Sequence, residues 1–373
     1  MGWKEVTFMS QRTEFVTLSL REGTNFSELC RRFGISRKTG YKFQQRYLKE
    51  GLEGLKDRSR RPGSSPSKTN NSVEAMVLGL REEHSNWGGR KLKRRLEDLG
   101  NVGLPSPSTI TAILKRNDRV STEESEKHKA WKRFEAERPN DLWQMDFKGH
   151  FEAKNGRCHP LTILDDYSRY ALGLKACKNE RRETVETPLK EAFWTYGLPY
   201  QMLMDNGAPW GNDSINRYTM LTVWLIRLGI RIIHSRPRHP QTLGKDERFH
   251  RTLKAEVIMG CLGKNLDDCQ HRFDEWRLVY NTQRPHEALD MEVPAKRYVI
   301  SDRSFNEKLP TIEYGPDDHV RKVMDKGEVS FKGNIFRVSK AFIGQHVAIR
   351  PTIQNGRFEV FFCHQKIAQI NLK

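Results

Sequence analysis

The chain has 373 residues, too many for one ordinary core and enough for two to four domains. With 36% hydrophobic and 10% aromatic residues it can build folded cores, which excludes a disordered polyelectrolyte. Its formal charge of +18 is uneven: residues 1–140 carry a net +11, residues 141–300 a net +3 and residues 301–373 a net +4, a basic arm suited to a polyanion ahead of a nearly balanced middle. An anionic membrane is the rival polyanion, but no lipidation signal or basic amphipathic anchor stands out. The most apolar run, "LTVWLIRLGIRII" at 221–233, is broken by Arg227 and Arg231 and cannot span a bilayer. The start "MGWKEVTFMS" has no apolar stretch of a secretory signal. The six cysteines are scattered without a CxxC pair, and Cys261, Cys269 and His271 lack zinc-finger spacing, so reduced thiols in a cytoplasmic protein are expected.

In "NFSELCRRFGISRKTGYKFQQRY", Asn25 or Ser27 can cap a short helix carrying Leu29 and Phe33. Gly34 makes the turn, and Ser36 caps a second helix through about Tyr47. This is a helix-turn-helix pattern over residues 1–56, whose second helix would enter the major groove and present Arg37, Lys38, Lys42 and Gln45 to bases or phosphates. Gly40 departs from it, since glycine costs a helix interior about 1 kcal/mol relative to alanine. Residues 57–71, with "DRSRRPGSSPSK", form a basic linker whose Arg58, Arg60 and Arg61 suit a DNA backbone or minor groove. Residues 72–120 read as a second helix-turn-helix, with the Ser106–Pro107 pair opening its last helix. Ser121 and Glu124 form a capping box for a helical linker over 121–140.

At residue 141 the pattern changes. "LWQMDFKGHF" and "RCHPLTILDDYSRYALGLKAC" predict three strands with turns at Asn155-Gly156 and Asp165–Ser168. A helix over about 181–196, a strand at "YQMLMDNG", a helix over about 214–228 and a fifth strand at "IRIIHS" follow. Helices over 242–257 and 266–281 close a unit spanning 141–300. Three hairpin strands followed by alternating helices and strands predict a mixed five-stranded sheet with helices on both faces. From 311 to 373, short strands with glycine turns predict a small β-barrel. Trp143, Trp194 and Trp224 are expected in the core, and His234, His239 and His250 as DNA contacts or structural groups.

Three acids stand at informative places. Asp146 lies mid-strand in "WQMDFKG", where an apolar or pairable residue belongs. Asp205 ends the fourth strand in "LMDNG", the edge where open α/β sheets place ligands. In "HPQTLGKDERFHRTLKAEV", Phe249, Leu253 and Val257 form one apolar stripe, and Glu247 falls off it. Converging carboxylates repel one another, and all-oxygen ligation suits Mg²⁺ or Mn²⁺. The surrounding cations, Arg251 and Lys254 among them, would then hold phosphates. Asp165 and Asp166 are rival metal ligands, but aspartate is common at such turns for turn chemistry alone.

"LWQMDFKG", "LDDYSRY", "MDNG" and "HPQTLGKDERFHRTLKAEV" together resemble the integrase-core transposases of bacterial insertion sequences, relatives of retroviral integrases, closely over residues 130–300. The resemblance implies a ribonuclease-H-like core with an Asp-Asp-Glu triad at Asp146, Asp205 and Glu247, two metal ions, and Lys254 at the element's end. It implies cleavage of element ends and joining of the 3′-hydroxyl to target DNA. It further implies double-stranded DNA as partner at terminal inverted repeats and target, a dimer or tetramer on that DNA, and a bacterial, nucleoid-associated location. A domesticated non-catalytic DNA-binding regulator and a ribonuclease-H-like nuclease are the alternatives. The interval 247 − 205 = 42 exceeds that of retroviral relatives, with extra residues around "GNDSINRYTMLTVW".

Overall fold

Asn25 and Ser36 each stand one residue ahead of a helix and accept a backbone N–H through their side chains, from Glu28 and Thr39. These caps set the N-terminal helices in the computed structural model, which describes residues 8–59, 69–120, 135–154, 156–211, 217–235 and 244–372. The chain divides into two compact units, Met1–Lys68 and Thr69–Lys373. In the first, α1 (Phe8–Ser19), α2 (Phe26–Arg32) and α3 (Arg37–Glu50) close around Phe15, Val16, Leu29, Cys30 and Leu55. Gly40, the residue that departs from helix propensity, is a point of close approach in that packing. A Cβ there would lie 2.8 Å from both Cys30 Sγ and Phe15 Cζ.

The second unit opens with α4 (Asn71–Glu83), α5 (Gly89–Asp98) and α6 (Pro107–Arg116), the last capped by Ser106 with Pro107 in its first turn. Val77, Leu80, Trp87, Leu92, Leu96, Ile110, Ile113 and Leu114 form their shared core. Only residues 135–140 of the expected helical linker are described, and they are not helical; the Ser121–Glu124 box lies outside the described residues.

The central sheet is built from β1 (Leu142–Phe147), β2 (Phe151–Ala153), β3 (Gly156–Asp165), β4 (Ala171–Cys177), β5 (Gln201–Met204) and β6 (Arg231–His234). β3 pairs antiparallel with β1 and β4, while β1–β5 and β5–β6 run parallel, which makes the sheet mixed. β2 meets the start of β3 (Phe151↔Cys158) almost in the register of β1 (Phe147↔Leu161), so the six strands occupy five positions. One face packs on α7 (Arg182–Tyr196) and α8 (Met220–Arg227) through Trp143, Met145, Phe193 and Leu225. The other packs on α9 (Gly244–Leu253), a π turn (Lys254–Ile258), α10 (Met259–Cys261) and α11 (Leu266–Thr282), through Leu164, Leu174, Phe249 and Phe273.

Several expectations need correction. The helix expected from 214 begins at Met220, because the hydroxyls of Thr219 and Thr222 form a reciprocal capping box that starts it there. The helix expected over 242–257 is α9 followed by the π turn. Trp194 is 62% exposed: its neighbour Phe193 takes the inward position, and Trp194 rests edge-on against Phe305.

The C-terminal strands β7 (His319–Lys322), β10 (His346–Pro351), β11 (Arg357–Phe362) and β12 (Gln365–Asn371) form an open sheet in the order β12-β11-β10-β7, and β8 (Glu328–Phe331) with β9 (Asn334–Arg337) forms a separate hairpin. The expected barrel is not formed among the described strands. β7 and β12 remain edges, and the sheet's apolar face merges with the central core through Val347, Ile349, Val360 and Phe362. Gln365 uses its side-chain amide as a ladder partner for β6, accepting from Ile232 N and donating to Ile232 O. All six cysteines are free thiols, and no helix among the described residues is long and apolar enough to cross a membrane.

Candidate active site

Strand alternation decides where Asp146 points. Trp143 and Met145 enter the α7 face, so Gln144 and Asp146 project toward α9. The parallel register of β1 and β5 runs Leu142↔Gln201 to Gln144↔Leu203, and two residues further along both chains stand Asp146 and Asp205. Asp205 Oδ1 is held by Asn206 N at 2.6 Å and Ser235 Oγ at 3.1 Å. Glu247 sits in the first turn of α9, exposed as its place off the apolar stripe predicts.

Burial pushes the carboxyl of Asp146 up to about 7, against the pull of the Phe147 N–H, and the charges of Asp205, Glu180 and Glu247 push the same way. Glu180, accepting from or donating to His159 Nδ1 at 2.8 Å according to tautomer and protonation, is a fourth acid near the site that sequence reasoning did not single out. Among the described residues no three His, Cys, Asp or Glu side chains form a ready-made metal cage. The donors nonetheless suit a hard divalent cation: three carboxylates from two neighbouring strands and one helix, with Asp146 feeling the other two charges.

Asp165 and Asp166 are committed elsewhere. Asp165 accepts from Asn140 N, Ser168 N and Ser168 Oγ. Asp166 accepts from Ala136 N, Gln144 Nε2 and Lys245 Nζ. These bonds make the two aspartates part of the turn and of its tie to α9, which leaves no oxygen free of protein donors.

The inward face of α9 holds two polar residues whose burial the sequence reading missed. Asp246 is fully buried, neither of its carboxylate oxygens has a hydrogen-bond partner among the described residues, and burial with the charge of Asp146 raises its pKa well above the usual value. His250 is also buried, its pKa pushed down to about 3 by burial and by Lys148. It contacts Thr162 Oγ1 at 2.8 Å and approaches Asp146 Oδ2 to 4.0 Å. A signal was available: Asp246 precedes Phe249 by three places and His250 precedes Leu253 by three, so both lie on the apolar stripe.

Arg251 and Lys254 are exposed on the same helix, Lys254 opening the π turn. In the first unit Arg37, Lys38, Lys42 and Gln45 are exposed along α3. Arg58 is paired with Glu50 at 2.5 Å, and Arg60, Arg61 and His239 lie outside the described residues. His234 donates from Nδ1–H to the main-chain carbonyl of Asp205 at 3.2 Å, the only direction open because a carbonyl can only accept.

Integrase core domain families match residues 136–240 and 228–294. A helix-turn-helix domain matches residues 11–63, a homeodomain-like domain residues 39–114, and the C-terminal domain of IS481 family transposases residues 318–373. The chain is 25% identical over 253 residues to an uncharacterized 39.2 kDa protein of insertion element IS476 from Xanthomonas euvesicatoria, an alignment that covers 66% of this chain and 70% of that one. It is 24% identical to the transposase for transposon Tn552 from Staphylococcus aureus, covering 87% of this chain and 75% of that one. A chain of the simian T-cell lymphotropic virus intasome, solved in complex with PP2A regulatory subunit B56 gamma, is 16% identical and superposes with a TM-score of 0.38, covering 80% of this chain and 99% of that one.

Proposed function

From the premise that this chain belongs to the integrase-core transposases of insertion elements, we propose that it binds the terminal inverted repeats of its element, cuts the DNA ends by metal-assisted hydrolysis and joins the freed 3′-hydroxyl to target DNA. The observation that carries this reading is the convergence of Asp146 and Asp205 at the adjacent ends of the parallel strands β1 and β5, with Asp146 buried and within reach of the charges of Asp205 and of Glu247 at the start of α9. Like charges gathered this way are relieved by a divalent cation, and Asp146, Asp205 and Glu247 would hold one or two ions of Mg²⁺ or Mn²⁺. When bound, such ions supply Lewis acidity to the phosphate and to the attacking and leaving oxygens.

The chain's own residues bind and orient. The exposed cations of α3 take the element's end, while Arg251 and Lys254 meet phosphates beside the acids. Asn206 and Ser235 fix the carboxylate of Asp205. In the first step a water oxygen bonds to phosphorus and the bond from phosphorus to the 3′-oxygen breaks, leaving a 3′-hydroxyl. In the second, that 3′-oxygen bonds to a target phosphorus and the target strand's 3′-oxygen leaves. Neither step needs a covalent protein–DNA bond. Two ends must meet, so at least two protomers act together on DNA.

The test is nicking of a labelled duplex that carries the element's end, with full-length protein in Mg²⁺. Wild type nicks at the end, and Asp146→Asn binds within a few-fold of wild type without nicking. Nicking by Asp146→Asn at the wild-type rate overturns the assignment, and tight end-binding without any nicking by wild type favours a regulator instead.

A further inference from the structure

His250 follows Glu247 by one helical turn, the Glu-x-x-His spacing by which a single helix offers an acid and an imidazole to a common ion. The hydrogen bonds around its ring fix its tautomer. Thr162 spends its hydroxyl proton on the main-chain carbonyl of Asp146, at 3.0 Å. The 2.8 Å contact between Thr162 Oγ1 and His250 Nε2 must therefore have the imidazole as donor. A neutral ring carries one proton, so Nδ1 presents a bare lone pair.

Nδ1 lies 4.0 Å from Asp146 Oδ2. The gap is too long for a hydrogen bond, and two acceptors do not attract each other. It is shorter than two metal–ligand bonds of about 2.1 Å laid end to end. The pair alone is half a site, since no third acid or imidazole among the described residues completes a cage around it.

We infer that His250 Nδ1 is a nitrogen ligand of the divalent cation that Asp146 holds, an inference that rests on the metal-dependent reading above. Thr162 is then a positioning residue: its hydroxyl, anchored on Asp146's own carbonyl, aims the ring. An imidazole in an otherwise carboxylate site shifts its preference from Mg²⁺ toward first-row transition ions such as Mn²⁺.

The experiment loads full-length protein with Mn²⁺, measures binding by calorimetry and looks for ¹⁴N coupling to the ion by electron spin echo envelope modulation. Wild type, Asp146→Asn, His250→Ala and His250→Gln are compared, with thermal melting of each. Glutamine can keep the bond to Thr162 through its own amide N–H while lacking Nδ1, so it separates ligation from packing. The expected result is imidazole modulation in wild type, its loss in both His250 variants, and Mn²⁺ binding weakened about tenfold or more in folded His250→Gln. Wild-type Mn²⁺ bound without nitrogen modulation, or modulation that survives in His250→Gln, overturns the inference while leaving the carboxylate site standing. Wild-type Mn²⁺ affinity in Asp146→Asn overturns both.

Discussion

Asp246 and Glu247 are neighbours in sequence with opposite surroundings, one fully buried without a hydrogen-bond partner among the described residues and the other exposed. A buried unpaired carboxyl costs about 1–3 kcal/mol, so Asp246→Val should raise the melting temperature, and a lower one would show that Asp246 has a partner that matters. The two carboxyls of Asp146 and Asp246 also make pH informative. With its folded pKa near 7, Asp146 holds a proton in the folded state through a window where an unfolded aspartate, near 3.9, has lost it. Its contribution to apo stability therefore falls as pH rises through that window, and a cation that needs the carboxylate competes with the proton. The increase in melting temperature caused by Mn²⁺ should grow between about pH 5.5 and about pH 7.5. An increment independent of pH would contradict Asp146 as a ligand. The positions of Asp146, Asp205 and Glu247 were legible because each sits beside a distinctive neighbour: a strand, an Asn-Gly turn, a Gly-x-x-Glu helix start. The burial of His250 against Thr162 was not, since Thr162 lies 88 residues away and meets His250 through the packing of α9 on the sheet.

At the scale of elements, helix starts were the best-written feature, because a cap is a local bond: Asn25, Ser36 and Ser106 each accept from the first turn they precede. Gly40 shows the converse. Local propensity marks it as a flaw in α3, whereas the contact with Cys30 and Phe15 makes its missing side chain a requirement. Gly40→Ala should destabilise the first unit by about 1–3 kcal/mol through overpacking despite better helix propensity, as read by melting of that unit. A gain in stability would mean that Cys30 and Phe15 move aside. The barrel was misread for a related reason. Short strands and glycine turns specify hairpins, but closure requires β7 and β12 to pair, and here the apolar face of that sheet is covered by the central domain instead.

Across the second unit, the α4–α6 domain is docked on the π turn and on the α11 end of the central domain. Asn86 donates to Ala255 O within the π turn, Arg95 donates to Gln283 and Arg90 pairs with Glu287 at 3.5 Å, while Val279 of α11 packs against the α4–α6 core. A fragment beginning at residue 135 should therefore melt below one beginning at residue 69, and equal melting would show that the dock contributes nothing. The basic first unit is expected to dominate salt dependence. Lys38→Ala and Lys42→Ala should each flatten the slope of log affinity against log salt by about one where they touch phosphate, whereas Arg58→Ala should do less because Glu50 already engages its guanidinium.

The central claim is that Asp146, Asp205 and Glu247 together carry DNA strand transfer. Its most direct test is a single-turnover assay that joins pre-cut element ends, each with a 3′-hydroxyl, to a target plasmid in Mg²⁺ with full-length protein. Asp146→Asn, Asp205→Asn and Glu247→Gln should each abolish joining while binding the ends, and Asp246→Asn should join as wild type does. Joining by Glu247→Gln, with none by Asp246→Asn, would contradict the account and move the third carboxylate to the buried side of α9.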